Sequence, residues 1–131
     1  MAKAIGDRRP DCYRQRSFLD AGVVVPGSSD RPVVNGAPIL GIHDLVNQRT
    51  ATDYPFNPQE AITAEEALRS YTLSSAYAAF DEADKGSVTP GKLADLVVLD
   101  RDITTTDPST INQTTVLATM VGGTLEYGAL N

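Results

Sequence analysis

Residues Pro90 to Asp100 read Pro-Gly-Lys-Leu-Ala-Asp-Leu-Val-Val-Leu-Asp, and no other stretch limits the fold of this chain so strongly. Pro90 presets φ at the second position of a turn, and Gly91 accepts the positive φ that a type II turn requires next. Leu96-Val97-Val98-Leu99 is then a continuous apolar run of strand length, bounded by Asp95 and Asp100. An unalternating run of this kind predicts a strand covered on both faces, around which a small sheet forms.

The rest of the last third also reads as β. Thr114 to Val121 is a second strand, Gly122-Gly123 a two-residue hairpin signal, and Thr124 to Tyr127 the returning strand. Arg101-Asp102 and Thr104 to Thr110 form a polar connection, in which Asp107-Pro108-Ser109 starts one helical turn.

The middle third is helical. Thr63-Ala64-Glu65-Glu66 is a capping box, in which the Thr63 hydroxyl and the Glu66 carboxylate satisfy backbone donors reciprocally. Ala64, Ala67, Leu68 and Tyr71 make one apolar stripe, and Leu73, Ala76, Tyr77 and Phe80 make another that is out of register with it. This predicts a break near Thr72, with Thr72 and Ser75 able to cap the second piece. An earlier helix begins at Pro38, which suits the first helical position, and carries Ile39, Ile42, Leu45 and Val46 on one face. Gly41 inside it costs about 1 kcal/mol relative to alanine. Thr50 to Gln59 is loop, and Asp81 to Lys85 is charged linker.

Met1 to Gln15 is polar and aperiodic, with Arg9-Pro10-Asp11 as a breaker, and reads as a loose arm. Arg16 to Ala21 is a short helix ending at Gly22, followed by Val23-Val24-Val25 as a short strand and Pro26 to Asp30 as a polar loop. Helix, glycine, buried strand and loop in this order make the αβ step of a parallel α/β unit. Asp30 to Ala37 is loop, held extended by Pro32 and broken by Asn35-Gly36.

With 17 acidic against 11 basic side chains the chain has no basic footprint, so nucleic acid is not an expected partner. Arg8, Arg9, Arg14 and Arg16 cluster near the start, but Asp7 and Asp11 interrupt them, which describes a solvated arm. No apolar run approaches the roughly 18 residues of a membrane span, and Met1 to Asp20 holds no signal-peptide core, so no membrane partner and a cytoplasmic location are expected. Cys12 is the single cysteine and has no histidine near it in sequence, so neither a disulfide nor a nucleophile is expected there.

Asp30 is the sharpest candidate for chemistry. In a parallel α/β barrel the C-terminal ends of the strands carry catalysis, because loops vary there while strands hold position. A carboxylate just past Val23-Val24-Val25 is placed to ligate a divalent metal, or to take a proton from a metal-bound water whose pKa the ion lowers to about 7. On its own, an aspartate after a strand is more often a turn former or a helix cap.

Gly27-Ser28-Ser29-Asp30-Arg31-Pro32-Val33 resembles the signature at the eighth barrel strand of the metal-dependent amidohydrolases, in particular the YtcJ-like group, amidohydrolase family 3. The resemblance continues through Leu40-Gly41-Ile42, Glu65 to Thr72, Ala76-Tyr77-Ala78 and Gly86 to Asp100, in order and spacing, and covers roughly residues 16 to 127. It implies a hydrolase that uses one or two divalent ions, usually zinc, to activate water against an amide or similar C–N bond. It also implies that Asp30 corresponds to the family's last-strand aspartate, a metal ligand and proton shuttle. The other ligands the resemblance implies lie upstream in family members: a His-x-His pair, a Lys or Glu in mid-barrel, and two further histidines. They have no counterpart among these 131 residues, whose one histidine, His43, sits in a predicted helix on the face opposite Ile42 and Val46.

One Asp cannot supply the three or four ligands of a zinc site, so no metal is expected on this chain alone and an isolated chain is not expected to hydrolyse anything. Gly86 to Lys92 satisfies the spacing of a phosphate-binding loop, but Leu93 replaces the required Ser or Thr and a strand follows instead of a helix, so nucleotide binding is not expected. Asn112-Gln113-Thr114 is a glycosylation sequon read as chance.

The fold the resemblance implies is α+β: residues 1–15 an arm, 16–84 the last strand and helices of a TIM-type (β/α)8 barrel, and 85–131 part of a C-terminal β-sandwich. A barrel of this type needs about 250 residues, so edge strands and apolar helix faces should stand uncovered. The expected partners are therefore further copies of the chain or the missing barrel portion. The competing expectation is a non-catalytic fold fragment that serves as a binding or assembly module.

Overall fold

The computed structural model describes residues 5–129; the first four residues of the arm and the last two of the chain lie outside the described residues. The helices are α1 (Gln15–Asp20), α2 (Pro38–Asn47), α3 (Ala64–Tyr71) and α4 (Leu73–Ala78). The strands are β1 (Leu96–Leu99), β2 (Val116–Val121) and β3 (Thr124–Gly128), and 3-10 helices cover Gly6–Asp11, Pro58–Glu60 and Pro108–Gln113. The fold is α+β, with one three-stranded antiparallel sheet in the order β1-β2-β3.

Local chemistry fixes most element ends. At the close of α1 the Gly22 N–H donates to the Leu19 carbonyl and the Val23 N–H to the Phe18 carbonyl, both at 2.9 Å. This is the paired closure that needs a left-handed residue, and Gly22 supplies it at φ +77°. Pro38 opens α2 at its first position. The capping box forms as expected: the Glu66 N–H donates to Thr63 Oγ1 at 3.2 Å, and the Thr63 N–H donates to the Glu66 carboxylate at 2.9 Å. Gly91 turns the chain at φ +95°, with the Lys92 N–H donating to the Thr89 carbonyl, and Gly122-Gly123 joins β2 to β3 with both φ values positive.

The core lies between α2, α3 and the 3-10 helix Pro108–Gln113. Ile42, Ile62, Ala67, Ile103 and Ile111 form its buried centre, and Leu19, Ile39, Leu45, Val46, Leu68 and Leu99 pack around it. Polar contacts then tie α1 to this core. Arg16 Nη1 donates to both Glu66 carboxylate oxygens at 2.8 Å, and the Ser17 N–H and hydroxyl both donate to the buried Glu60 carboxylate.

Several expectations are corrected. Val23-Val24-Val25 has no regular secondary structure and pairs with no strand among the described residues, and Val23 and Val24 are about half exposed. A strand needs a neighbour for its backbone groups, and the antiparallel sheet is built elsewhere, so no strand pairing for a parallel αβ step is present among the described residues. β1 is not covered on both faces: it is an edge of the sheet, and Val97 and Val98 are exposed. The described part of the arm is not loose and Pro10 does not break it. Residues Gly6–Asp11 form a 3-10 helix, and the fully buried Asn57 amide donates to the carbonyls of Pro10 and Cys12.

The break at Thr72 is present, but neither hydroxyl caps α4. Thr72 Oγ1 donates back to the Leu68 carbonyl and Ser75 Oγ to the Ser70 carbonyl, both at 2.8 Å, so both serve carbonyls left open where α3 ends. The loop after Asp30 is not held extended either. It turns at once, with a cis Arg31-Pro32 peptide and the Val33 N–H donating to the Asp30 carbonyl at 2.9 Å.

Both carboxylates of the α1 anchor sit below their ordinary value of 4.5. Glu60 is lowered first by the Ser17 hydroxyl, and Glu66 first by the Thr63 N–H with Arg16 adding to it. A carboxylate whose folded pKa lies below its unfolded one contributes stability that is present above the unfolded value and lost as pH falls through the folded one. The thermal midpoint by circular dichroism should therefore hold steady above about pH 5 and drop as pH falls below about 4.5, with Glu60→Gln shallowing the drop. A midpoint independent of pH over that window contradicts the anchor.

Candidate functional site

Asp30 sits at the end of a loop that is held at its base. The Gly27 N–H donates to the Ser70 carbonyl at 2.8 Å, and the hydroxyl of Tyr71, the next residue of α3, donates to the Ser28 carbonyl at 3.3 Å. Two consecutive residues at the end of α3 thus grip the base of the Asp30 loop. Glycine is required there because a Cβ on Gly27 would lie 2.5 Å from the Tyr71 ring. From the opposite side the ring and its hydroxyl press on α2, where a Cβ on Gly41 would lie 1.8 Å from the Tyr71 oxygen.

Asp30 itself adopts a left-handed conformation, φ +51°, which aspartate tolerates better than most residues. Its N–H donates to Ser28 Oγ at 3.2 Å and its carbonyl accepts from Val33, so the local backbone is closed on itself. The carboxylate is exposed and makes no hydrogen bond or ion pair among the described residues. Beyond it, Arg31 to Ala37 curl around an open hollow of about 490 Å³, with the Arg31 side chain folded over Gly36. Behind the loop a second hollow of about 450 Å³ runs between α1, α3 and α4, lined by Leu19, Val23, Val24, Leu73 and Tyr77.

Burial pushes the Tyr71 phenol above its ordinary value of 10.0, with the Asp44 charge adding to the shift. The phenol is therefore a neutral hydrogen-bond donor throughout the neutral range, as its contact to Ser28 requires.

Among the described residues no three His, Cys, Asp or Glu side chains converge. A zinc site takes three or four such ligands, so the residues present do not fit a metal by themselves, and Asp30 stands without co-ligands. His43 is in α2 with Nδ1 3.1 Å from an Asp44 carboxylate oxygen, and its side chain is only 18% exposed. Cys12 Sγ donates to the Arg8 carbonyl at 3.6 Å. The Gly86 to Lys92 stretch is a turn whose Lys92 Nζ donates to the carbonyls of Glu82 and Lys85, at 2.6 and 3.1 Å, which ties the amine to its own backbone. No helix of the described residues is long and apolar enough to cross a membrane.

Tyr71 escaped sequence reasoning, which places it only in an apolar stripe. The signal that could have found it is Gly41, an expensive residue in the middle of a helix, whose presence asks for a partner that needs the space. Gly41→Ala should accordingly destabilise the chain, although alanine is the better helix former. The added methyl strikes a ring already pinned by Gly27, and overpacking of this kind costs about 1–3 kcal/mol. Thermal unfolding checks it, and a raised midpoint contradicts the packing.

A family model described as the amidohydrolase family matches residues 3–127. An N-substituted formamide deformylase of Arthrobacter pascens is 41% identical over 112 residues, covering 86% of this chain and 21% of that protein. The protein YtcJ of Bacillus subtilis is 27% identical over 124 residues, 92% of this chain and 23% of its own length. The protein LONG AFTER FAR-RED 3 of Arabidopsis thaliana is 34% identical over 130 residues, 97% of this chain and 22% of its own. A solved amidohydrolase from Thermotoga maritima shares the fold with a TM-score of 0.67 at 21% identity, over 89% of this chain and 26% of that one. The chain thus spans between a fifth and a quarter of the length of these relatives. With the match to residues 3–127 extending over nearly all of it, the chain belongs to the amidohydrolase family.

Proposed function

We propose that this chain is the C-terminal portion of a metal-dependent amidohydrolase that cleaves an amide or similar C–N bond with water, and that Asp30 is its contribution to catalysis. The observation that carries the reading is the Asp30 loop: an exposed, unpaired carboxylate on a backbone clamped at Gly27 and Ser28 and closed on itself at Val33. Such a group is free to meet groups from outside the described residues while its origin stays fixed. As the water oxygen bonds to the substrate carbonyl carbon, the Asp30 carboxylate takes the water's proton. It then returns that proton to the nitrogen as the C–N bond breaks.

In this reading residues 16–84 are the last barrel strand with its helices, and 85–131 are part of a β-sandwich. Asp30 would be one carboxylate of a divalent, zinc-type site whose other ligands come from the remainder of the barrel. The half-exposed Val23 and Val24, and Val97, Val98, Leu117 and Leu125 on the sheet, support a role for that remainder in covering this surface. The chain alone is then inactive. The N-substituted formamide named for the Arthrobacter pascens relative is one example of the substrate class.

A chimera tests this directly. The matching 112-residue segment of the Arthrobacter pascens deformylase is replaced by this chain and assayed on an N-substituted formamide. The chimera should hydrolyse it, and Asp30→Asn should lower kcat by at least about 100-fold, the scale of a lost acid–base group. A folded but inactive chimera, or an Asp30→Asn variant as active as its parent, sinks the reading.

A further inference from the structure

We propose that Tyr71 is the positioning residue for Asp30, holding the loop that carries the carboxylate rather than acting on substrate. The functional meaning of this inference rests on the role proposed for Asp30; the positioning itself does not. Three contacts place the phenol. Its ring occupies the space that a Gly27 side chain would take, its hydroxyl occupies that of a Gly41 side chain, and the same hydroxyl donates to the Ser28 carbonyl, two residues before Asp30. The neighbouring Ser70 carbonyl accepts from Gly27, so the end of α3 presents one acceptor, one donor and one flat apolar face to the same short stretch of loop.

Nothing else among the described residues holds residues 28–30 to the body of the protein by a hydrogen bond. The Asp30 N–H bond to Ser28 and the Val33 bond to Asp30 are internal to the loop and do not tie it to the helices. Removing the hydroxyl should therefore free the loop while leaving the helices, sheet and core as they are. The Asp30 carboxylate would then sample several positions, and the fraction of time spent in the productive one would fall.

Amide hydrogen exchange on the full chain tests this with Tyr71→Phe, which keeps the ring between the two glycines and removes only the oxygen. The Gly27 and Val33 amides should exchange about fivefold faster or more, the equivalent of one lost hydrogen bond, while the β2 amides exchange as in the parent. Tyr71→Ala should enlarge the loop effect further. Unchanged exchange at Gly27 and Val33 in the Phe variant overturns the inference, and so does a rise shared equally by β2, which would mark a general stability role. In the deformylase chimera the same Tyr71→Phe change should lower kcat with KM unchanged. Should Asp30→Asn prove silent there while loop exchange still rises selectively, the role of Asp30 falls and the positioning by Tyr71 stands.

Discussion

A single phenol ring is wedged between two glycines that lie fourteen residues apart in the chain, and the arrangement of the Asp30 loop depends on it. Gly27 and Gly41 each leave out the one carbon that would collide with Tyr71, so the loop before Asp30, helix α2 and the end of α3 meet on one side chain. A helix interior normally excludes glycine because of its entropy, at about 1 kcal/mol relative to alanine. Here that loss is offset by letting a half-buried aromatic ring approach the helix backbone. The ring's hydroxyl stays protonated because burial disfavours the phenolate, which keeps the donor to Ser28 in place.

A second polar junction supports the first from the other end of α3. The Glu66 carboxylate accepts from the Thr63 N–H in the capping box and from Arg16 of α1 at the same time. Exposed ion pairs contribute little singly, but this one is coupled to a helix start and to the Ser17 bonds on Glu60, so it fixes where α1 lies. The Gly22 closure then sends the chain outward into Val23 to Val25 and toward Asp30. Both ends of α3 therefore act on the loop, one by placing the helix that leads into it and one by gripping its base.

What was legible in the sequence was local. The capping box at Thr63, proline at the start of α2, the glycine stop after α1, the Pro90-Gly91 turn and the Gly122-Gly123 hairpin each involve residues within a few positions of one another, and each formed. What misled was pairing over distance. Val23 to Val25 has the composition of a strand, but a strand exists only against a neighbour, and β1 has the composition of a covered strand yet stands at a sheet edge. The roles of Asn57 in holding the arm and of Glu60 in receiving Ser17 join residues more than forty positions apart, which no local pattern encodes. At the site, the wording around Asp30 pointed to the family, and the family is confirmed by the match over residues 3–127. The clamp on that aspartate was hidden because Tyr71 reads as one more member of an apolar stripe.

The central claim is the contact of one ring with two glycines, and nuclear Overhauser spectroscopy observes it directly. Cross-peaks from the Tyr71 ring protons to the α-protons of both Gly27 and Gly41 are the result that the packing predicts. Cross-peaks to Gly41 with none to Gly27 would leave the Asp30 loop without its clamp and contradict the account.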